Sequence, residues 1–200
     1  KDFNKAIELN PQLADAYYNR GCVYIKLGSD SQAIKDFNRA IELNLKDADA
    51  YVNRGNVYDK LGDFKQEIND YNKAIEINPQ LPDSYYNRGI IYGKLGNYSQ
   101  AINDYSKTIE LGSQLTASQL AKAYYNRGNA YTKLGNYSQE IDDYSKAIEL
   151  DPQKANAYFN RGLAYHNKGN MNKALNDYKI AARLGHKEAQ DYLRSNRIDW

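Results

Sequence analysis

The sequence predicts an all-α fold, a row of antiparallel helix hairpins, and three observations carry that expectation. The chain matches itself at 34 residues. YYNRG recurs at Tyr17, Tyr85 and Tyr124, with YVNRG at Tyr51 and YFNRG at Tyr158, so the steps are 34, 34, 39 and 34. Periods of this length mark stacked supersecondary units. Within a period, apolar positions recur at helical spacing, as at Tyr17, Gly21 and Tyr24, which gathers them on one helix face. Usage is also lopsided: 20 tyrosines stand against one tryptophan and four phenylalanines, as expected of a chain that repeats one template.

Each unit reads as two helices. In the first, Gly28 supplies a residue able to take φ > 0 and so to stop the opening helix. The second helix is expected to start near Ser31 as N-cap. It carries Ala33, Phe37, Ala40 and Ile41 at helical spacing and ends at Asn44. Elsewhere Pro11, Pro79 and Pro152 close the unit, because proline restricts the residue before it. Gly21, Gly55, Gly89, Gly128 and Gly162 fall on the inward face, where a missing side chain lets helices approach closely.

This register gives five complete units, 14–47, 48–81, 82–115, 121–154 and 155–188. Residues 1–13 match only the second helix of a unit, so the chain reads as a piece of a longer protein. Residues 116–120 are an insertion expected to lengthen the fourth unit's first helix by about a turn, with Thr116 or Ser118 as cap. Residues 189–200 read as a C-terminal capping helix and tail, covering the last apolar face of a stack.

Composition excludes several classes. A net charge of +2 from 27 basic and 25 acidic residues gives no electrostatic case for nucleic acid. Mean hydropathy is −0.85, and the apolar runs fall far short of the roughly 20 residues that cross a bilayer. A soluble chain is expected, with the cytoplasm favoured and no membrane insertion. Cys22 alone rules out an internal disulfide framework. No cofactor or metal is expected. His166 and His186 stand apart from Cys22 and from each other, and the glycines are spaced singly, so neither a nucleophile pair nor a phosphate loop is present. The chain is therefore read as no enzyme.

The units resemble tetratricopeptide repeats, whose pattern runs aromatic, L-G, Tyr, Ala, Phe and Pro over 34 residues. In the fourth unit Tyr124, Arg127-Gly128, Tyr131, Glu140, Tyr144 and Pro152 occupy that pattern, and the resemblance covers nearly the whole chain. AARLGHKEAQDYL at the C-terminal end also resembles Sel1-like repeats. The resemblance implies a right-handed α-α superhelix whose concave groove is lined by the first helices.

On a helical wheel, Asp15, Asn19, Cys22 and Lys26 lie opposite Tyr17, Gly21 and Tyr24. Repeated over the units, that face carries an asparagine row, Asn19, Asn53, Asn87, Asn126 and Asn160, and a lysine row, Lys26, Lys60, Lys94 and Lys133, with Lys122 near its basic part. Each carboxamide offers a donor and an acceptor, so a row of them suits an extended peptide backbone. Asparagine is a mediocre helix former, so propensity does not explain the row; common repeat ancestry, without selection for binding, is the alternative to a ligand-binding role. Tyr86 and Tyr125, with Tyr18, Val52 and Phe159, either supply apolar pockets or pack against the next unit.

Two features depart from the family pattern. Glu67 and Glu140 stand where a small residue is expected, and each should reach solvent or a local donor, Asn56 and Asn129 being candidates. Arg20, Arg54, Arg88, Arg127 and Arg161 replace leucine. An arginine–aspartate pair with Asp36, Asp70, Asp104, Asp143 and Asp177 is the economical explanation, since arginine packs its stem while pairing its planar head.

The function expected is a scaffold that holds a peptide or helical segment of a partner protein in the concave groove. The alternatives are a self-assembling module, with homo-oligomers formed through the array ends, and a non-catalytic domain of a larger enzyme or regulator. A clamp for acidic chaperone tails is incomplete, because the lysine it needs beside the first asparagine is replaced by Tyr18, Val52, Tyr86 and Tyr125.

Overall fold

The computed structural model describes residues 2–44 and 46–200. Among the described residues it is helical throughout, without strands, and it divides into two compact units, residues 1–91 and 92–200.

The first unit holds α1 (Asp2–Leu9), α2 (Ala14–Lys26), α3 (Asp30–Leu43), α4 (Ala48–Leu61), α5 (Phe64–Ile77) and most of α6 (Pro82–Lys94). Here α2 pairs with α3 and α4 with α5, while α1 packs on α2 and α3 on α4. Gly28 and Gly62 sit at φ of 70° and 72°, the left-handed conformation that lets a helix stop without a Cβ clash. The start of α3 differs from the sequence expectation. The helix begins at Asp30 with Ser29 at the cap, not at Ser31, and the Ser29 side chain makes no capping bond. The tight turn decides this: the Ser29 amide donates to Tyr24 O at 2.9 Å, which closes α2 and commits the next residue to the new helix.

The core of this unit is made by small residues facing large ones. Ala33, Phe37 and Val57 are fully buried beside Tyr18 and Cys22. A Cβ added at Gly21 would lie 2.9 Å from Phe37 Cε1, so the glycine is what lets α2 and α3 approach.

The second unit holds α7 (Tyr98–Glu110), a 3-10 turn at Gly112–Gln114, α8 (Ala117–Lys133), α9 (Tyr137–Leu150), α10 (Ala155–Asn167), α11 (Met171–Arg183) and α12 (Lys187–Ser195). α8 pairs with α9 and α10 with α11, and α12 closes against α11 through buried Ala189 and Leu193. α8 has 17 residues where its counterparts have 13 or 14. Thr116 starts it with a capping box: its hydroxyl accepts from the Gln119 amide at 3.2 Å, and Gln119 Oε1 accepts from the Thr116 amide at 3.0 Å. Two orphan amides of the helix start are satisfied in this way.

Arginine–aspartate pairs lock the hairpins. Arg20, Arg54, Arg127 and Arg161 each donate through Nε and Nη2 to both oxygens of Asp36, Asp70, Asp143 and Asp177, at 2.6–2.8 Å. The aspartates keep 2–8% of their side-chain exposure and the arginines 18–23%, so these are largely buried pairs rather than surface ones. A third donor reaches back to the preceding second helix. Arg54 Nη1 meets Asn38 at 2.6 Å, Arg88 meets Asn72 at 2.6 Å, and Arg161 meets Ser145 at 3.0 Å. Arg54 and Arg161 thus each tie their own hairpin and the stacking of that hairpin on the one before.

Candidate functional site

The first helices of the hairpins carry the residues picked out from sequence. In the first unit Asn19 is exposed and turns back on its own helix, donating to Asp15 O at 2.8 Å. Asn53 donates to the Tyr18 hydroxyl at 2.9 Å, with Cys22 Sγ at 3.9 Å. Asn87 donates to Asn56 Oδ1 at 3.3 Å. In the second unit Asn160 donates to the Tyr125 hydroxyl at 3.1 Å and to Asn129 Oδ1 at 3.2 Å; Asn126 is half-buried. Much of the donor capacity of Asn53, Asn87 and Asn160 is therefore spent on the preceding hairpin, while among the described residues no bond draws on their own Oδ1 atoms. Lys26, Lys60, Lys94, Lys122 and Lys133 are all exposed, and Lys60 pairs with Asp30 at 3.5 Å.

The flanking aromatics pack inward. Tyr18 lies with its ring centroid 6.0 Å from that of Phe37, and Tyr125 lies 5.6 Å from Tyr144. Burial pushes the Tyr18 phenol up to about 12. Phe159 stacks on His186 at 4.2 Å. Tyr86 is half-buried.

Within the second unit these helices frame a cleft of about 400 Å³, lined by Asn129, Thr132 and Lys133 of α8, Glu140 and Tyr144 of α9, and Asn160, Leu163 and Asn167 of α10. Its polar groups form a relay. The Tyr144 hydroxyl donates to Asn129 Oδ1 at 2.7 Å, Thr132 Oγ1 lies 3.1 Å from Tyr144 Oη, and Thr132 also reaches Gly128 O at 3.0 Å.

Glu140 is 2% exposed, and its Oε2 has no hydrogen-bond partner. Burial raises its carboxyl above the ordinary carboxylate range, and the Thr132 hydroxyl opposes that shift only in part. Of the two outcomes expected for Glu67 and Glu140, solvent or a local donor, solvent is excluded, since both are 2% exposed; for Glu140 the Thr132 hydroxyl is the local donor, though not to Oε2. The asparagine expected to serve Glu140 does not reach its Oε2; Asn129 Oδ1 accepts from Tyr144 and Asn160. In the first unit Asn56 likewise accepts from Tyr71, at 2.6 Å, and from Asn87. The signal overlooked in the sequence was the tyrosine at the second-helix aromatic position. A buried phenol demands a hydrogen-bond partner, and that demand is what claims the asparagine.

No group of three histidine, cysteine or acidic residues is arranged to hold a metal ion among the described residues, and no helix is long and apolar enough to cross a membrane.

Family models of the tetratricopeptide repeat match residues 14–47 and 82–114 and residues 155–184; a further TPR-repeat model matches 60–96 and 128–169. The chain carries tetratricopeptide repeats. Tetratricopeptide structures also superpose on nearly all of it. YrrB, described as a TPR protein with an unusual peptide-binding site, is 26% identical with a TM-score of 0.85, over 97% of this chain and 98% of its own. MamA is 24% identical with a TM-score of 0.79, over 88% and 94%. A MamA fragment from Desulfovibrio magneticus RS-1 is 21% identical with a TM-score of 0.77, over 87% and 96%. At those identities MamA speaks for the tetratricopeptide fold alone. No curated protein sequence matches the chain at a significant level.

Proposed function

We propose that this chain is a protein-interaction scaffold whose first-helix faces hold an extended or helical segment of a partner protein. The observation that carries the reading is the likeness to YrrB over almost the full length of both chains, YrrB being a tetratricopeptide protein with a peptide-binding site. The chemistry of the faces agrees with it. They offer exposed lysines, asparagine Oδ1 acceptors and, in the second unit, a cleft of about 400 Å³ with the 40% exposed Leu163 at its edge. Apolar contact with a few convergent polar groups is what a binding pocket needs.

The test uses the exposed lysines, which can be reversed in charge without touching the core. Proteins from the source cell are captured on the full chain and on Lys26→Glu/Lys122→Glu/Lys133→Glu, with folding compared by circular dichroism. A protein retained by the parent and lost by the folded variant supports the reading. Identical capture by both, or mass that rises with concentration while nothing is captured, refutes it in favour of scaffolding by self-assembly.

A further inference from the structure

Repeat register separates two kinds of hairpin in this chain. In the first, third and fifth repeats the small-residue position of the second helix holds Ala33, Ala101 and Ala174, each fully buried. The residue eleven earlier, on the first helix, is Cys22, Ile90 or Leu163. In the second and fourth repeats the same two positions hold Glu67 with Asn56 and Glu140 with Asn129. The glutamate, the asparagine and a buried tyrosine, Tyr71 or Tyr144, come as a set. An asparagine of the next first helix, Asn87 or Asn160, donates into each set.

In the fourth repeat the set forms the wall of an open cleft, and no hydrogen bond from the groups around the carboxylate reaches Glu140 Oε2. Tyr144 donates to Asn129, Asn160 donates to Tyr125 and Asn129, and the Thr132 hydroxyl is engaged with Gly128 O and Tyr144. Lys133 lines the same cleft but is exposed and makes no ion pair with Glu140. Glu140 Oε2 is left without a donor. An unsatisfied buried acceptor is costly, and an alanine at this position would avoid the cost, as three sister repeats do. What would satisfy it is a donor from outside the fold.

We infer that the cleft over Glu140 is a receptor for one basic side chain, a lysine ammonium or an arginine guanidinium, carried by a partner segment lying on α8 and α10. The inference rests on the proposed peptide-holding function and specifies its chemistry. Charge decides the occupant. An acidic side chain would meet a carboxylate, and an apolar one would seal Oε2 in without a donor. A cation brings both the opposite charge and the missing hydrogen bond, and charge-assisted bonds are about twice as strong as neutral ones. The alkyl stem of such a side chain would lie against Leu163.

Glu140→Ala installs the residue that the first, third and fifth repeats already carry, so the variant is expected to fold. A twelve-residue random peptide library displayed on phage is selected against the full wild-type chain, and the selected sequences are synthesised. The expected result is a shared lysine or arginine at one position. Replacing it by norleucine should weaken binding to the wild type at least tenfold and leave binding to Glu140→Ala unchanged. Selected peptides with no shared basic residue, or ones that bind wild type and Glu140→Ala alike, overturn the inference while leaving the face as a peptide site. A library that yields no binder, or binders indifferent to both Lys133→Glu and Leu163→Asp, overturns the inference together with the reading beneath it.

Discussion

Asn160 donates its carboxamide N–H to the Tyr125 hydroxyl at 3.1 Å, joining residues 35 apart in the chain. Asn53 and Tyr18 stand in the same relation in the first unit, at 2.9 Å. Asn53, Asn87 and Asn160 thus have a structural use before any ligand arrives, since each fastens its first helix to the one before. A part-buried neutral bond of this kind contributes about 1 kcal/mol net. Tyr125→Phe and Asn160→Ala are each expected to lower unfolding stability by about that amount in urea titrations. The double variant should recover a coupling of at least about 0.5 kcal/mol. Strict additivity would mean that the bond contributes nothing.

The Arg–Asp pairs make a larger claim. Arg127 and Asp143 meet through two bonds of 2.7 and 2.8 Å, with Asp143 at 5% side-chain exposure. Asp143→Ala leaves a guanidinium part-buried against its preceding hairpin and should cost about 3 kcal/mol, the low end for a broken buried pair because Arg127 keeps some water. Replacing both partners with hydrophobic residues, Arg127→Met with Asp143→Leu, should come within about 1 kcal/mol of wild type. Equal losses in the single and double variants would show that the arginine's bond to Ser106, at 2.9 Å, matters more than the aspartate.

Two of the close glycines, Gly162 and Gly55, should respond differently. A Cβ at Gly162 would sit 2.6 Å from Tyr178 Cε1 and 3.3 Å from Ala174 O. Gly162→Ala therefore overpacks a site with backbone on one side and should lose about 1–3 kcal/mol. At Gly55 the nearest atom is Tyr71 Cε1 at 3.3 Å, a side chain that can yield slightly. There the gain of about 1 kcal/mol in helix propensity offsets the crowding, and Gly55→Ala should be neutral or slightly stabilising. Chemical denaturation of both variants checks the order, which reverses if Tyr178 is free to move.

How much of this was legible in the sequence depends on whether a feature recurs. Arg20, Arg54, Arg127 and Arg161 each precede an aspartate by sixteen residues, so the pairing could be read from spacing alone, as could the inward glycines. The start of α3 could not, because Ser29 and Ser31 are equally good caps by type, and a backbone bond from Ser29 to Tyr24 O chose between them. The burial of Glu140 was not legible for a similar reason. Exposure of a helical side chain depends on the neighbouring hairpin, and the asparagine expected to serve it turns its Oδ1 to Tyr144, fifteen residues away. Residues in alternate repeats are the hardest to read, since two instances do not make a pattern until geometry joins them.

The buried Glu140 carboxyl should also leave a trace in the pH dependence of stability. Its native-state pKa is raised by burial, so the native state favours the protonated acid more than the unfolded chain does. The sign follows from linkage: this contribution is fully present below the unfolded pKa and is lost as pH rises through the native one. Wild type should therefore lose stability relative to Glu140→Gln on going from acid towards neutral pH. The difference between the two curves should level off once the acid is ionised in both states. Arg127 and Asp143 are unchanged by the substitution, so their contribution cancels in the difference. Urea midpoints measured for both proteins from pH 4 to 8 give the answer. A constant difference across that range would mean that Glu140 is hydrated in solution, and the cleft would then lose the unsatisfied acceptor that makes it a receptor for a base.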